Sequence, residues 1–236
     1  MECVIGIKMN DFVLLAADMR CAHSILTIKH DERKMYKFSN RVLAAVCGES
    51  GDTSQFSEYI QQNMQLYEIR NGYELTPSAA ANFTRNNMAE SLRSRSPYFV
   101  NMLIAGYDSQ TGPELYFLDY LASLVKVPFA VHGYGSLVTL SILDRMHRPD
   151  MTVEEAVTLL RSCIQEVQKR LVINLDRYMV RIVTKDGIEE LPDLTDFAVK
   201  EMITLCSLDC VLRSYWMDFY QSHQYVCGSI TNWFAR

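Results

Sequence analysis

No stretch of this sequence approaches the ~20 consecutive apolar residues that a membrane-spanning helix requires, so helical membrane insertion is not expected. Basic charge is not in excess either. The formal net charge is -5, whereas nucleic-acid binding usually needs a clustered positive face. The first residues lack the basic stretch, apolar core and small-residue cleavage site of a secretory signal. Without one, the seven cysteines, an odd number, are expected as reduced thiols of the cytosol or nucleus rather than as a disulfide framework. Glycine-serine linkers, low-complexity tracts and internal repeats are missing too. The expectation is one large domain from Met1 to about Lys200. Residues 201–236 would form a C-terminal extension of different character.

What is present is an ordinary globular composition, 49% apolar and 22% charged. Val4, Ile5 and Ile7 read as a strand. Asn10-Asp11 suits a tight turn before the apolar run Phe12 to Ala17. That run is apolar on both faces, as a strand covered on both sides would be. Lys34–Phe38 and Val42–Cys47 predict a hairpin around Ser39-Asn40. Asp52 is placed to cap a helix carrying Phe56, Tyr59, Ile60, Met64 and Tyr67, which Gly72 ends. Thr76-Pro77 opens a second helix, with Ala80, Phe83, Met88 and Leu92 as its apolar stripe.

Strands are expected again from Tyr98 to Tyr107 and from Glu114 to Tyr120. A third helix follows from Ser136 to Met146. Thr152 and Glu155 have capping-box spacing ahead of a fourth, whose stripe is Leu160, Cys163, Ile164, Val167 and Leu171. A last hairpin joins Tyr178–Thr184 to Ile188–Leu191. Strands, two helices, strands, two helices, strands is the order of a layered α+β domain, not of βαβ repeats. Strands apolar on both faces fit two stacked sheets with helices outside them.

Three local patterns carry possible chemistry. His132 beside Gly133-Tyr134-Gly135 has glycines too sparse for a phosphate cradle and reads as a turn into a helix. Arg93-Ser94-Arg95-Ser96-Pro97 reads as a basic surface turn, or a contact with a neighbouring chain. In the extension, Cys206, Cys210, His223 and Cys227 are separated by three, twelve and three residues, within the range of small zinc sites. The segment has too few basic residues for nucleic acid, and its Leu205, Leu208, Leu212, Tyr215 and Phe219 follow helical spacing. Free thiols on an amphipathic helix are the reading preferred here, and no metal or cofactor is assigned.

Several strings together carry a family resemblance. They are Ala16-Ala17-Asp18-Met19-Arg20, Arg33-Lys34-Met35-Tyr36, Cys47-Gly48-Glu49-Ser50-Gly51-Asp52 and His132-Gly133-Tyr134-Gly135-Ser136. Arg70 to Leu75, Ala79 to Arg85 and Leu140 to Arg145 add to them. In this order they resemble the beta subunits of the proteasome core particle, and among these a non-catalytic type. The resemblance covers about residues 1 to 200. It implies a four-layer αββα sandwich of the N-terminal nucleophile hydrolase class. It also implies alpha and beta subunits as partners, in stacked seven-membered rings, with residence in cytoplasm and nucleus and a role in ubiquitin-dependent protein degradation.

Active members of this family attack with an N-terminal threonine, whose amine handles the proton with help from a lysine and an aspartate. Asp18 and Lys34 match those two residues, and Gly48 matches the oxyanion-hole glycine. Glu2 falls at the nucleophile's place, and the first threonine of the chain is Thr27. Tyr134 stands for a serine, and Arg170 and Ile173 for a later aspartate and serine. The expectation is therefore no catalytic residue at all, with Asp18 and Lys34 kept as a structural ion pair. The alternative is trimming to expose Cys3 as an N-terminal nucleophile. That would shift the site by one residue, and a cysteine in an apolar strand is usually a small hydrophobe.

Overall fold

In a computed structural model, residues 2–23, 26–171 and 175–195 are described. Twelve strands and four helices are found there. β1 (Cys3–Lys8) and β2 (Val13–Asp18) pair antiparallel across the Asn10-Asp11 turn. β2 also pairs with β11 (Tyr178–Thr184), which carries β12 (Gly187–Leu194) beyond it. On the other side β1 pairs with β10 (Phe129–Gly133). The first sheet thus runs β10-β1-β2-β11-β12. The second is formed by β5 (Met35–Lys37), β6 (Val42–Gly48), β7 (Val100–Asp108), β8 (Gly112–Leu118) and β9 (Leu124–Lys126), in that order. A separate hairpin joins β3 (Cys21–His23) to β4 (Leu26–Lys29).

Three apolar clusters explain why the central strands are apolar on both faces. Val4, Val13, Leu15 and Ala17 of the first sheet meet Leu43, Ala45, Leu103 and Leu115 of the second. The opposite face of the first sheet, with Cys3, Ile5, Ile7 and Leu14, packs on Leu159, Leu160, Cys163, Ile164 and Val167. These belong to α4 (Val153–Arg170), which lies beside α3 (Ser136–Met146). The outer face of the second sheet, with Val46, Met102 and Ile104, packs on Phe56, Ile60, Ala80, Ala81 and Met88. Those come from α1 (Ser50–Asn71) and α2 (Pro77–Leu92). The result is the four-layer αββα sandwich that the sequence predicts.

Most element ends fall where local chemistry places them. Thr152 and Glu155 form the reciprocal capping box of α4. Thr76 accepts from the Ala79 N–H at 3.3 Å, with Pro77 in the first turn of α2. Gly72 ends α1 in the left-handed region, at φ 76°.

Asp52 departs from its expected role. The helix starts earlier, directly after β6, with Glu49 as N-cap and no side-chain cap. The Asp52 carboxylate instead accepts from the Phe99 N–H at 3.0 Å, tying α1 to the entry of β7. Four short strands, β3, β4, β9 and β10, have no clear mark in the sequence. They are three to five residues long, too short for a period of two to stand out.

Candidate functional site

The antiparallel register of β1 and β2 pairs Val4 with Ala17, which brings Asp18 beside the start of β1. The Cys3 N–H donates to Asp18 Oδ1 at 2.8 Å. Asp18 Oδ2 accepts from the Arg20 N–H at 3.2 Å and from Lys34 Nζ at 2.8 Å. Lys34 precedes β5 and reaches across from the second sheet. Its ammonium also donates to the Arg20 carbonyl at 2.8 Å and lies 3.0 Å from Glu2 Oε1. The other Glu2 oxygen accepts from the Gly48 N–H at 2.7 Å. Asp18, Lys34, Gly48 and Glu2 therefore do converge, at one end of the gap between the sheets.

Gly48 is needed here for its backbone. Its φ of 153° lies in the range that favours glycine, and a Cβ at this position would stand 2.2 Å from the Phe99 carbonyl oxygen. This posture aims the Gly48 N–H at Glu2.

The electrostatics favour an ion pair over a base. Burial acts to lower the affinity of Lys34 for its proton, but Asp18 and Glu2 outweigh it and hold the lysine above its ordinary value. An ammonium has three donors, and Lys34 has three acceptors: Asp18, the Arg20 carbonyl and Glu2. No lone pair is left to take a proton. Asp18 is fully buried, so burial pushes its carboxyl upward while Lys34 pulls it back. The residue facing Lys34 and the Gly48 N–H is Glu2, which has neither hydroxyl nor thiol.

Cys3 points the other way. Side chains alternate along a strand, so Glu2 and Val4 share the inter-sheet side while Cys3 belongs to the cluster beneath α4. A Cβ at Gly135 would meet Cys3 Sγ at 2.1 Å, which places the thiol under the start of α3. Burial, then the Asp18 charge, push the Cys3 thiol up to about 12. Cys47, which sequence reading passed over, is the thiol on the Glu2 side. Burial and the Glu2 carboxylate push it up as well. With Glu2 in place both groups are held as thiols rather than thiolates near neutral pH.

The remaining candidates lie apart from this cleft or serve it through their backbone. His132 sits in β10, not in the turn, and stacks on Phe117 at 4.2 Å between centroids. Its Nε2 is 3.2 Å from the Met102 carbonyl oxygen, and burial lowers its pKa to about 4. It ties the two sheets together. The turn expected after it does occur at Tyr134-Gly135. The Tyr134 side chain is half exposed, and its N–H donates to the Glu2 carbonyl at 3.0 Å. Arg170 pairs with Glu166 on α4 at 3.3 Å. Arg93–Ser96 are exposed. Ile173, Cys206, Cys210, His223 and Cys227 lie outside the described residues. Among the described residues no cluster of three metal-ligating side chains is found, and no helix is long and apolar enough to cross a membrane.

This architecture, with an aspartate, a lysine and a glycine N–H gathered at the start of the first strand, is that of the N-terminal nucleophile hydrolase sandwich. Residues 1–183 match the model of a family described as proteasome subunit. Proteasome subunit beta type-4 of Saccharomyces cerevisiae is 45% identical over 194 residues, covering 82% of this chain and 98% of that one. Proteasome subunit beta type-2-A of Arabidopsis thaliana is 48% identical over 190 residues, covering 80% and 93%. Proteasome subunit beta type-2 of Oryza sativa is 46% identical over 190 residues, covering 80% and 89%. The chain belongs to the proteasome subunit family, among its beta subunits. These relatives carry two subunit numbers, type-4 and type-2, within the one family.

Proposed function

We propose that this chain is a non-catalytic structural subunit of the proteasome core, part of the wall of a seven-membered beta ring. In this reading it holds neighbouring alpha and beta subunits in register, positions active subunits for ubiquitin-dependent protein degradation, and resides in cytoplasm and nucleus. One observation carries the reading: the place between Lys34 and the Gly48 N–H is filled by the carboxylate of Glu2. Nucleophilic catalysis needs an attacking atom beside a free base. Glu2 offers no such hydroxyl or thiol, and the Lys34 ammonium is saturated. The subunit domain ends near residue 200, and residues 201–236 form an extension to it.

The surface supports an assembly role. Leu137 is 82% exposed, Ile69 80% and Ile28 71%. On α3, α1 and β4 each has a further exposed apolar residue at same-face spacing, Leu140, Leu66 and Leu26 respectively, so the exposed apolar surface is grouped rather than scattered.

The test is labelling of purified core particles with a peptide electrophile directed at N-terminal threonine and cysteine nucleophiles. Mass spectrometry of each subunit should show adducts on active beta subunits and none on this chain. An adduct on Cys3, or on any other residue at the start of β1, would overturn the reading.

A further inference from the structure

We infer that Lys34 and the Gly48 N–H form a carboxylate-binding site whose resident ligand is the chain's own Glu2 side chain, and that the emptied site takes up a free small carboxylate. The two Glu2 oxygens are divided between two donors, Oε1 at 3.0 Å from Lys34 Nζ and Oε2 at 2.7 Å from the Gly48 N–H. Both donors have anchors other than Glu2. Lys34 is 5% exposed and anchored by Asp18 and the Arg20 carbonyl. Gly48 is held by pairing with Val100 and by a backbone shape that only glycine adopts readily. A fixed ammonium and a fixed N–H with one oxygen each are a bidentate receptor for a planar carboxylate.

The ligand is tethered through both polar atoms of the one peptide group that follows its side chain. The Glu2 carbonyl accepts from the Tyr134 N–H at 3.0 Å, and the next residue's N–H is bound to Asp18 at 2.8 Å. Glu2 precedes β1 of the first sheet, whereas Lys34 precedes β5 and Gly48 ends β6 of the second. Its side chain is therefore a latch between the sheets at the mouth of the sandwich. Short tethering gives it a high effective concentration for the site, so a free anion competes poorly while Glu2 is present. The inference rests on the reading of Glu2 as the non-nucleophilic occupant of this cleft.

The experiment uses the full-length chain as wild type, Glu2→Ala and Glu2→Gln. Thermal unfolding midpoints are measured across a formate series and a chloride series matched in ionic strength. Glu2→Ala should lower the midpoint by roughly 5 °C, and formate should restore at least half of that loss in a saturable way while chloride does not. Wild type and Glu2→Gln, in which a side chain of the same size still occupies the space although its amide offers one acceptor to the two donors, should respond equally to the two salts. If Glu2→Ala does not fold unaided, its refolding yield should rise in formate and not in chloride. An unchanged midpoint for Glu2→Ala, formate and chloride acting alike on it, or formate acting equally on all three chains would overturn the inference. None of these results bears on labelling by a peptide electrophile, so the two readings fail separately.

Discussion

His132 shows how one buried side chain couples this fold to pH. It sits between the sheets, stacked on Phe117 and facing the Met102 carbonyl. Burial lowers its pKa from 6.5 to about 4, against the Met102 and Leu118 carbonyls and the Asp119 charge, which act to raise it. The unfolded chain binds this proton at higher pH than the folded chain does. Stability is then full above about 6.5 and falls as pH drops towards 4, by about 3 kcal/mol in all. Denaturant titrations at stepped pH should show this slope, and His132→Gln should remove it whatever its effect at pH 8. An identical slope in the variant would mean that other groups carry the acid sensitivity. Lys34 lies at the opposite extreme. Two carboxylates hold its charge, so it stays an ammonium throughout the neutral range and serves as a bolt between the sheets.

At the scale of elements, close approach at the start of β1 decides which residues are allowed. Gly135 precedes α3, and a Cβ there would stand 2.1 Å from Cys3 Sγ and 3.1 Å from Cys3 Cβ. Gly135→Ala is expected to destabilise the chain by about 2 kcal/mol through overpacking. Cys3→Ala removes the nearer atom, so the double variant should recover roughly half of that loss. Equilibrium denaturation of the two single variants and the double variant checks the coupling, and simple additivity would count against the contact. The same glycine turn had the look of a loop with possible chemistry. Its glycines serve close packing and the hold on the Glu2 carbonyl.

The described residues bury three apolar layers and still leave large apolar side chains outside. Leu137 is 82% exposed on α3, so replacing it by glutamate removes little from the chain's own core. Leu137→Glu should alter the unfolding free energy by less than about 0.5 kcal/mol. If α3 meets another subunit in the particle, the buried charge should cut incorporation several-fold. Native-gel separation of free and assembled tagged chain measures this. Equal incorporation of the two forms would place the ring contacts elsewhere.

Long elements and all the expected caps but that of Asp52 were legible from the residues alone, because local chemistry determines them. The Ser136–Met146 helix, the Thr152–Glu155 capping box and the Gly72 stop depend on neighbours within four residues. The double-sided apolar runs of β2 and β6 require covers on both faces, so stacked sheets with outer helices followed. The short strands β3, β4, β9 and β10 were not legible, since pairing across the chain defines them and their own length carries too little pattern. Asp18, Lys34 and Gly48 were picked out by resemblance. Their meeting with Glu2 came from the tertiary structure, which brings the ends of β2 and β6 and the residue before β5 to one place. It also decided the side to which each residue near the start of β1 points. Alternation along the strand turns Glu2 towards Lys34 and Cys3 towards α4, and only the pairing of β1 with β2 and β10 sets which face is which.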